Sequence, residues 1–280
     1  MKRKLQILIV LLMGSAMSFS QSLESNRFEE RSLSLGTGGS NLRDTYLSPL
    51  SYSGTHVALM SEYFSQTRVA CGRWFSQSLF TLHGDYLTPH SGSGLTVGGM
   101  ADYSYTLYFT LPLWGDKRGT SFYVGPQAQL RIGGIYNLRN SNNPAQLKLG
   151  INLAASAMAK YAFTLWSTPM SVRLQADLPI LGTAFGPDYG QSYYEIFYLM
   201  QARGCVHLTS LHNNLSLRTN CSYDLQLRPC ALRLTLANDL YQWTLGGQHY
   251  RMFTHSVMLG YVKNLYRVMR DEEAKKEIPY

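Results

Sequence analysis

Over most of its length the chain places apolar residues at every second position and polar or charged residues between them. In 121–137 the even residues are Phe122, Val124, Pro126, Ala128, Leu130, Ile132, Gly134 and Tyr136, and the odd ones include Gln127, Gln129 and Arg131. In 147–165 the odd residues run from Leu147, Leu149 and Ile151 to Phe163 and Leu165, against Lys148, Asn152, Ser156 and Lys160. A helix sorts its faces with period 3.6 and a strand with period 2, so these segments are strands whose two faces meet different surroundings. The same alternation predicts strands at 95–111, 170–178, 193–209, 215–227 and 230–240, with weaker ones near 27–35, 55–66, 74–86 and 250–266.

The charges choose between architectures. Asp102, Arg131, Lys160, Arg173, Asp177, Arg218, Asp224 and Arg233 all fall on the polar parity of their segments. The stretch YYEIFYLMQARGCVHLT (193–209) adds Glu195, Arg203 and His207 on odd positions, against Tyr194, Ile196, Tyr198, Met200, Val206 and Leu208 on even ones. A soluble sandwich would turn its apolar face inward and its charges to water. Here the apolar sets exceed the ~9–11 residues that a tilted strand needs to cross a bilayer. Trp74, Trp114 and Trp166 sit beside the shorter connections with Phe109, Phe122 and Phe163 nearby, as in an interfacial aromatic girdle. The expected fold is therefore all-β: a single closed antiparallel transmembrane β-barrel with the eleven charged or titratable residues above lining its lumen. About eleven strands are readable. Bacterial barrels carry even numbers, so twelve is the first expectation, with a missed strand sought near 179–186, and ten the second. Pro126 inside a strand costs a ladder hydrogen bond and fits this scheme poorly.

The N-terminus, MKRKLQILIVLLMGSAMSFSQS, joins a basic start to a short apolar run and small residues at Ser18 and Ser20. That is the pattern of a cleaved secretory signal, expected over 1–20. The barrel is expected over 21–266 and a short charged tail over 267–280. Charged residues are 15% of the chain, below the ~25% of soluble domains. The formal charge of +8 falls to about +5 without Lys2, Arg3 and Lys4. With no basic cluster interleaved with aromatics, nucleic acid is not an expected partner.

Chemistry is sparse. His83 and Asp85 share the polar face of 74–86 and could join Ser104 in a nucleophile–base–acid group. Arg203, His207, Arg218 and Asp224 could surround an anion, and Asp188 with Glu195 could form a carboxylate pair. GTGGS (36–40) is glycine-rich but lacks the lysine of a phosphate loop. In each case a polar lumen or a turn explains the residues as well. Cys71, Cys205, Cys221 and Cys230 are expected to be unbridged, since Cys205 and Cys221 have opposite parity and a turn at 228–229 leaves Cys221 and Cys230 out of register. No metal or other cofactor is expected.

Five segments, NLRDTYLSPLSYSG (41–54), NLRNSNNPAQ (137–146), YGQSYYEIF (189–197), TSLHNNLSLR (209–218) and HSVMLGYVKNLY (255–266), resemble an exported family of Bacteroidetes catalogued only as a domain of unknown function. The resemblance implies an outer-membrane barrel of a Gram-negative anaerobe and brings no activity with it. The charged tail after Tyr266 departs from the family's pattern. The expected role is a narrow channel or structural barrel in the outer membrane, with 36–54 folded inward as a plug. Its expected partners are outer-membrane lipid, the barrel assembly machinery and an unidentified small solute. A barrel-embedded hydrolase acting on lipid or peptide, or a soluble periplasmic β protein, are the alternatives. Val206→Arg is expected to harm assembly more than Arg203→Ala.

Overall fold

The computed structural model describes residues 28–67, 73–90, 94–111, 119–140, 143–166, 168–227 and 230–264. The expected signal segment, the tail beyond 266, Cys71 and Trp114 lie outside them. The strands are β1 (Glu29–Asp44), β2 (Ser51–Gln66), β3 (Trp74–Pro89), β4 (Thr96–Leu111), β5 (Thr120–Asn137) and β6 (Ala145–Leu165). They continue with β7 (Thr168–Phe185), the short β8 (Val206–Ser210), β9 (Asn214–Leu227), β10 (Cys230–Leu245) and β11 (Gln248–Asn264). One short helix, α1 (Tyr193–Phe197), lies between β7 and β8. No described helix is long and apolar enough to cross a membrane.

Each strand pairs antiparallel with its neighbour. The ring closes where β1 meets β11, from Glu30 opposite Asn264 to Asp44 opposite Tyr250. Ten strands form this ring, in the order β1 to β7, then β9, β10 and β11. The expectation of twelve is thus corrected to ten among the described residues. The readable segments all exist, with two exceptions that account for the count. Residues 179–186 are not a separate strand: they continue β7 beyond a bulge, where Ala154 faces Pro179 and Leu153 faces Leu181, leaving Ile180 unpaired. And 193–209 is not one strand. Its first half is α1 and irregular chain, and only Val206–Ser210 pairs, as β8 on the far half of β7 (Leu181–Phe185). β9 takes the near half, Met170–Asp177. Rungs are therefore missing opposite residues 178–180, a seam in the wall.

Local chemistry explains the remaining departures. GTGGS is not a loop but the middle of β1, paired on both sides. A Cβ built on Gly38 would stand 1.8 Å from the His255 carbonyl oxygen, so the close approach of β11 requires glycine there. The proposed plug of 36–54 is accordingly corrected to a six-residue connection, 45–50. Pro126 points outward on β5, and its missing N–H coincides with an interruption of the β4–β5 ladder, which skips Leu107 and Tyr108 opposite Gly125 and Pro126. The hairpin between β10 and β11 turns on Gly246 and Gly247, both at positive φ (55° and 73°), as a two-residue turn demands.

Lysines, arginines and carboxylates are sorted between the two faces over the middle of the wall. Among the described strand residues, outward-pointing charges are Glu29, Arg31 and Lys263 near one end and Arg43 and Arg251 near the other. Between these levels the outer face carries Leu33, Leu35, Val57, Leu82, Ile132, Ile151, Leu174, Leu234, Val257 and Leu259, all exposed. Twelve residues separate Arg31 from Arg43. At ~3.3 Å per residue and a tilt of ~40° that is a band roughly 30 Å tall, the thickness of a bilayer's hydrocarbon core. At the level of Arg31, outward rings gather: Arg31 lies 5.0 Å from the Tyr63 ring centre, Trp74 meets Phe109 edge-on, and Tyr161 stacks on Phe163.

Candidate functional site: the ionic interior of the barrel

The inward face of a ten-stranded ring is too narrow to stay empty, and its side chains meet across it. At the end where β1 begins and β11 finishes, a largely aromatic layer forms from Phe64, Tyr108, Tyr123 and Met158, with Phe28 and Phe75 packed against it. Above it sits a first charge cluster. The Arg233 guanidinium donates to Asp224 at 2.5 Å and to Glu62 at 2.6 Å, and also to Glu30. Arg173 makes a two-pronged pair with Glu62 at 2.8 and 2.5 Å, and Lys160 reaches Glu30 at 3.5 Å. Glu62 lies on β2 and Arg173 on β7, five places apart in a ring of ten, so this pair spans the diameter. Beside it Gln77 of β3 and Gln175 of β7 exchange amide hydrogen bonds at 2.9 and 3.0 Å. Tyr108 and Ser156 are 2.6 Å apart, and the Ser156 hydroxyl donates to Asp177 at 2.5 Å.

A second cluster lies further along. Arg131 donates to Asp102 at 2.5 Å and, across the interior, to Asp239 at 2.6 Å. Arg218 stands 3.6 Å from Asp102 and 3.8 Å from Asp239. His83 Nε2 is 3.3 Å from Asp102, and His56 Nδ1 is 2.8 Å from Asp85. A cavity of about 20 Å³ beside Arg131, Asp177, Arg218 and Asp239 has room for about one water. The far end is apolar again: Leu42, Leu87, Met100, Ile135, Trp243 and Tyr250 pack together. In their midst Lys148 donates to Asp44 at 2.9 Å and lies 3.6 Å from the Tyr250 ring centre.

Loops seal that end. Leu47, in the connection 45–50, is buried in the apolar cluster, and its carbonyl accepts from Asn140 of the 138–144 connection at 2.9 Å. The Tyr46 hydroxyl donates to the Gln191 carbonyl at 3.2 Å, tying the β1–β2 connection to the long segment 186–205 from the opposite side of the ring. Burial, and then the Asp44 carboxylate, push the Tyr46 phenol up to about 12. Tyr193 accepts from the Leu147 amide at 2.6 Å and burial likewise raises it.

Of the residues singled out in sequence, Asp102, Arg131, Arg173, Asp177, Asp224 and Arg233 are buried inside the barrel, and Lys160 and Arg218 reach into it. His207 is half-buried at the mouth, donating to the Gly186 carbonyl at 3.0 Å. Two are placed elsewhere. Arg203 is exposed in the irregular segment. Glu195 caps α1: its carboxylate accepts from the Ser192 amide at 2.7 Å while the Ser192 hydroxyl accepts from the Glu195 amide at 3.3 Å. The Ser192 amide, and then the Ser192 hydroxyl at 2.9 Å, both donate to the Glu195 carboxylate and hold it below its ordinary range. The anion site suggested for Arg203, His207, Arg218 and Asp224 does not form, because Arg218 and Asp224 belong to different clusters and Arg203 is outside. Nor does Glu195 pair with Asp188. Ser104 faces Leu79 while His83 faces Met100, so the hydroxyl stands four residues along the strand from the imidazole and no triad assembles. Cys205, Cys221 and Cys230 are free, and burial raises the Cys205 thiol. Sequence reading missed Glu30, Asp44, His56 and Glu62. Their even parity on β1 and β2 was the available signal, blurred by glycines and serines.

A closed antiparallel ring, apolar outside and ionic within, defines a β-barrel with a filled polar core. The sequence matches the family described as "Protein of unknown function (DUF3316)" over residues 5–272, and the chain belongs to that family. No curated protein matches it. Among solved structures it is similar to the transport unit of the autotransporter AIDA-I from Escherichia coli, at 10% identity and TM-score 0.45, covering 91% of this chain and 96% of that one. It is also similar to the translocator domain of the autotransporter NalP from Neisseria meningitidis, at 9% identity and TM-score 0.42, covering 94% and 95%. A third is an outer-membrane channel from Pseudomonas putida F1, at 11% identity and TM-score 0.37, covering 89% and 98%.

Proposed function

We propose that this protein spans the outer membrane as a closed structural barrel, exported through an N-terminal signal and inserted by the barrel assembly machinery. One observation carries the reading: across a band roughly 30 Å tall the strands bear no outward charge, while their inward charges are numerous and paired. A water-soluble barrel would reverse that sorting. The longest connection among the described residues, 186–205, lies at the end away from Glu29 and Asn264. In outer-membrane barrels long loops face outside and short turns face the periplasm, so that end is placed at the cell surface. Conduction is not the resting property. Arg173–Glu62 and Gln77–Gln175 cross the full width, and the mouth is tied by Tyr46 and Asn140. The test is planar-bilayer recording of detergent-purified protein. No stepwise conductance is expected; steady open-channel current at low voltage would overturn the closed reading and restore a channel for small solutes.

A further inference from the structure

The second charge cluster contains a group that ion pairing does not complete. Among the described residues, inward-facing strand positions hold eight carboxylates against six lysines and arginines. The carboxylates of the first cluster, together with Asp44, Asp102 and Asp239, each meet a Lys or Arg. Asp177 is held by Ser156 and Gln175. Asp85 instead sits between two imidazoles, with Oδ1 2.8 Å from His56 Nδ1 and Oδ2 3.5 Å from His83 Nδ1. The last contact is not a hydrogen bond. His83 Nδ1 and Asp85 Oδ2 are both fully covered atoms without a partner, on residues 7% and 5% exposed. Leaving two such atoms unsatisfied in a dry interior is costly.

We propose that His56, His83 and Asp85 form a binding site for a single divalent transition-metal ion of the zinc class. Their ligand atoms all lie within 4.8 Å of one another. Zinc–nitrogen and zinc–oxygen bonds of ~2.0–2.2 Å put tetrahedral ligands roughly 3.3–3.6 Å apart, so small side-chain shifts suffice. Two imidazoles and one carboxylate are a zinc donor set, with a fourth position left for water. Gly98, paired with Asp85, bears no side chain, so nothing from that neighbour crowds the carboxylate; a Cβ there would stand 3.6 Å from Asp85 Oδ2. The neighbouring shell is in place. His83 Nε2 faces Asp102 Oδ2 at 3.3 Å, and Arg131 fixes Asp102 at 2.5 Å. A carboxylate that accepts a hydrogen bond from Nε2–H holds the tautomer whose Nδ1 lone pair is free for the metal, the usual arrangement around ligating histidines. Two positive charges on the ion also cancel the interior's excess of two carboxylates. Among the described residues, tied loops lie across one end and the aromatic layer across the other, so the ion is expected to enter as the barrel forms.

The experiment measures zinc in tag-free protein, folded with and without Zn²⁺ and then dialysed in detergent, together with zinc-edge X-ray absorption. About one Zn²⁺ per chain is expected, with scattering from two imidazoles. His83→Gln and His56→Gln are expected to weaken retention at least a hundredfold and Asp102→Asn ten- to a hundredfold, while His207→Gln, outside the site, changes nothing. Folding of each variant is read from heat-modifiable migration. If folded wild-type protein retains no zinc, shows no imidazole shell, or retains as much as a folded His56/His83 double variant, the site does not exist. The conductance result has no bearing on this outcome.

Discussion

Arg233 is the residue on which the first charge cluster turns, since one guanidinium serves Asp224, Glu62 and Glu30. Removing one partner of a buried ionic group typically costs ~3–5 kcal/mol, because the remaining charges are left without compensation. Arg233→Ala is therefore expected to destabilise the barrel by about that amount, read as a lower urea midpoint in detergent. Arg218→Ala, whose two contacts are longer than 3.5 Å, is expected to cost clearly less; equal losses would mean the interior is hydrated rather than tightly paired. That Arg233 points inward was legible from parity alone. Its partners were not, because Glu30 lies 203 residues away and reaches it only through ring closure.

At the scale of elements the instructive case is 193–209. Its alternation imitates a strand, yet Ser192 and Glu195 spell a reciprocal helix cap, and that local signal wins over 193–197. Apolar periodicity in an aromatic-rich loop misleads because those rings pack on loops, as Tyr193 does on Tyr46, instead of alternating across a wall. Ser192→Ala removes a cap worth ~1 kcal/mol and is expected to speed amide exchange in 195–199 roughly fivefold, with the barrel amides unchanged. Lowering the pH acts on the same cap. Glu195 titrates below its unfolded value, so its contribution is complete above pH ~4.3 and is lost as pH falls through the depressed folded value. Protection of these amides, measured against their intrinsic exchange rates, should fall over that range in wild type and not in Glu195→Gln; parallel pH profiles would rule the cap out.

For the whole molecule the decisive quantity is depth in the bilayer. Val257 lies mid-band, between Thr37 and Leu236, and points outward. Val257→Arg is expected to cost ~2–4 kcal/mol in lipid vesicles, while Val206→Arg, beside Phe185 at the mouth, costs ~0–1. Equal penalties would mean that no hydrocarbon surrounds the ring. The architecture was legible because an apolar outer face and an ionic interior impose opposite demands on consecutive residues. The strand number was not, since a bulge at Ile180 and a split partner for β7 leave no mark in the alternation.

The closing ladder between β1 and β11 joins the first described strand to the last. Every other wall contact can be made as successive hairpins emerge, but this one waits for nearly the whole chain. A nascent or truncated copy lacking β11 is an open ribbon with two raw borders, and hydrocarbon offers neither of them a hydrogen bond. In the membrane setting proposed above, such a copy would have no halfway lodging in the bilayer and would need a helper to hold it until the final strand arrives.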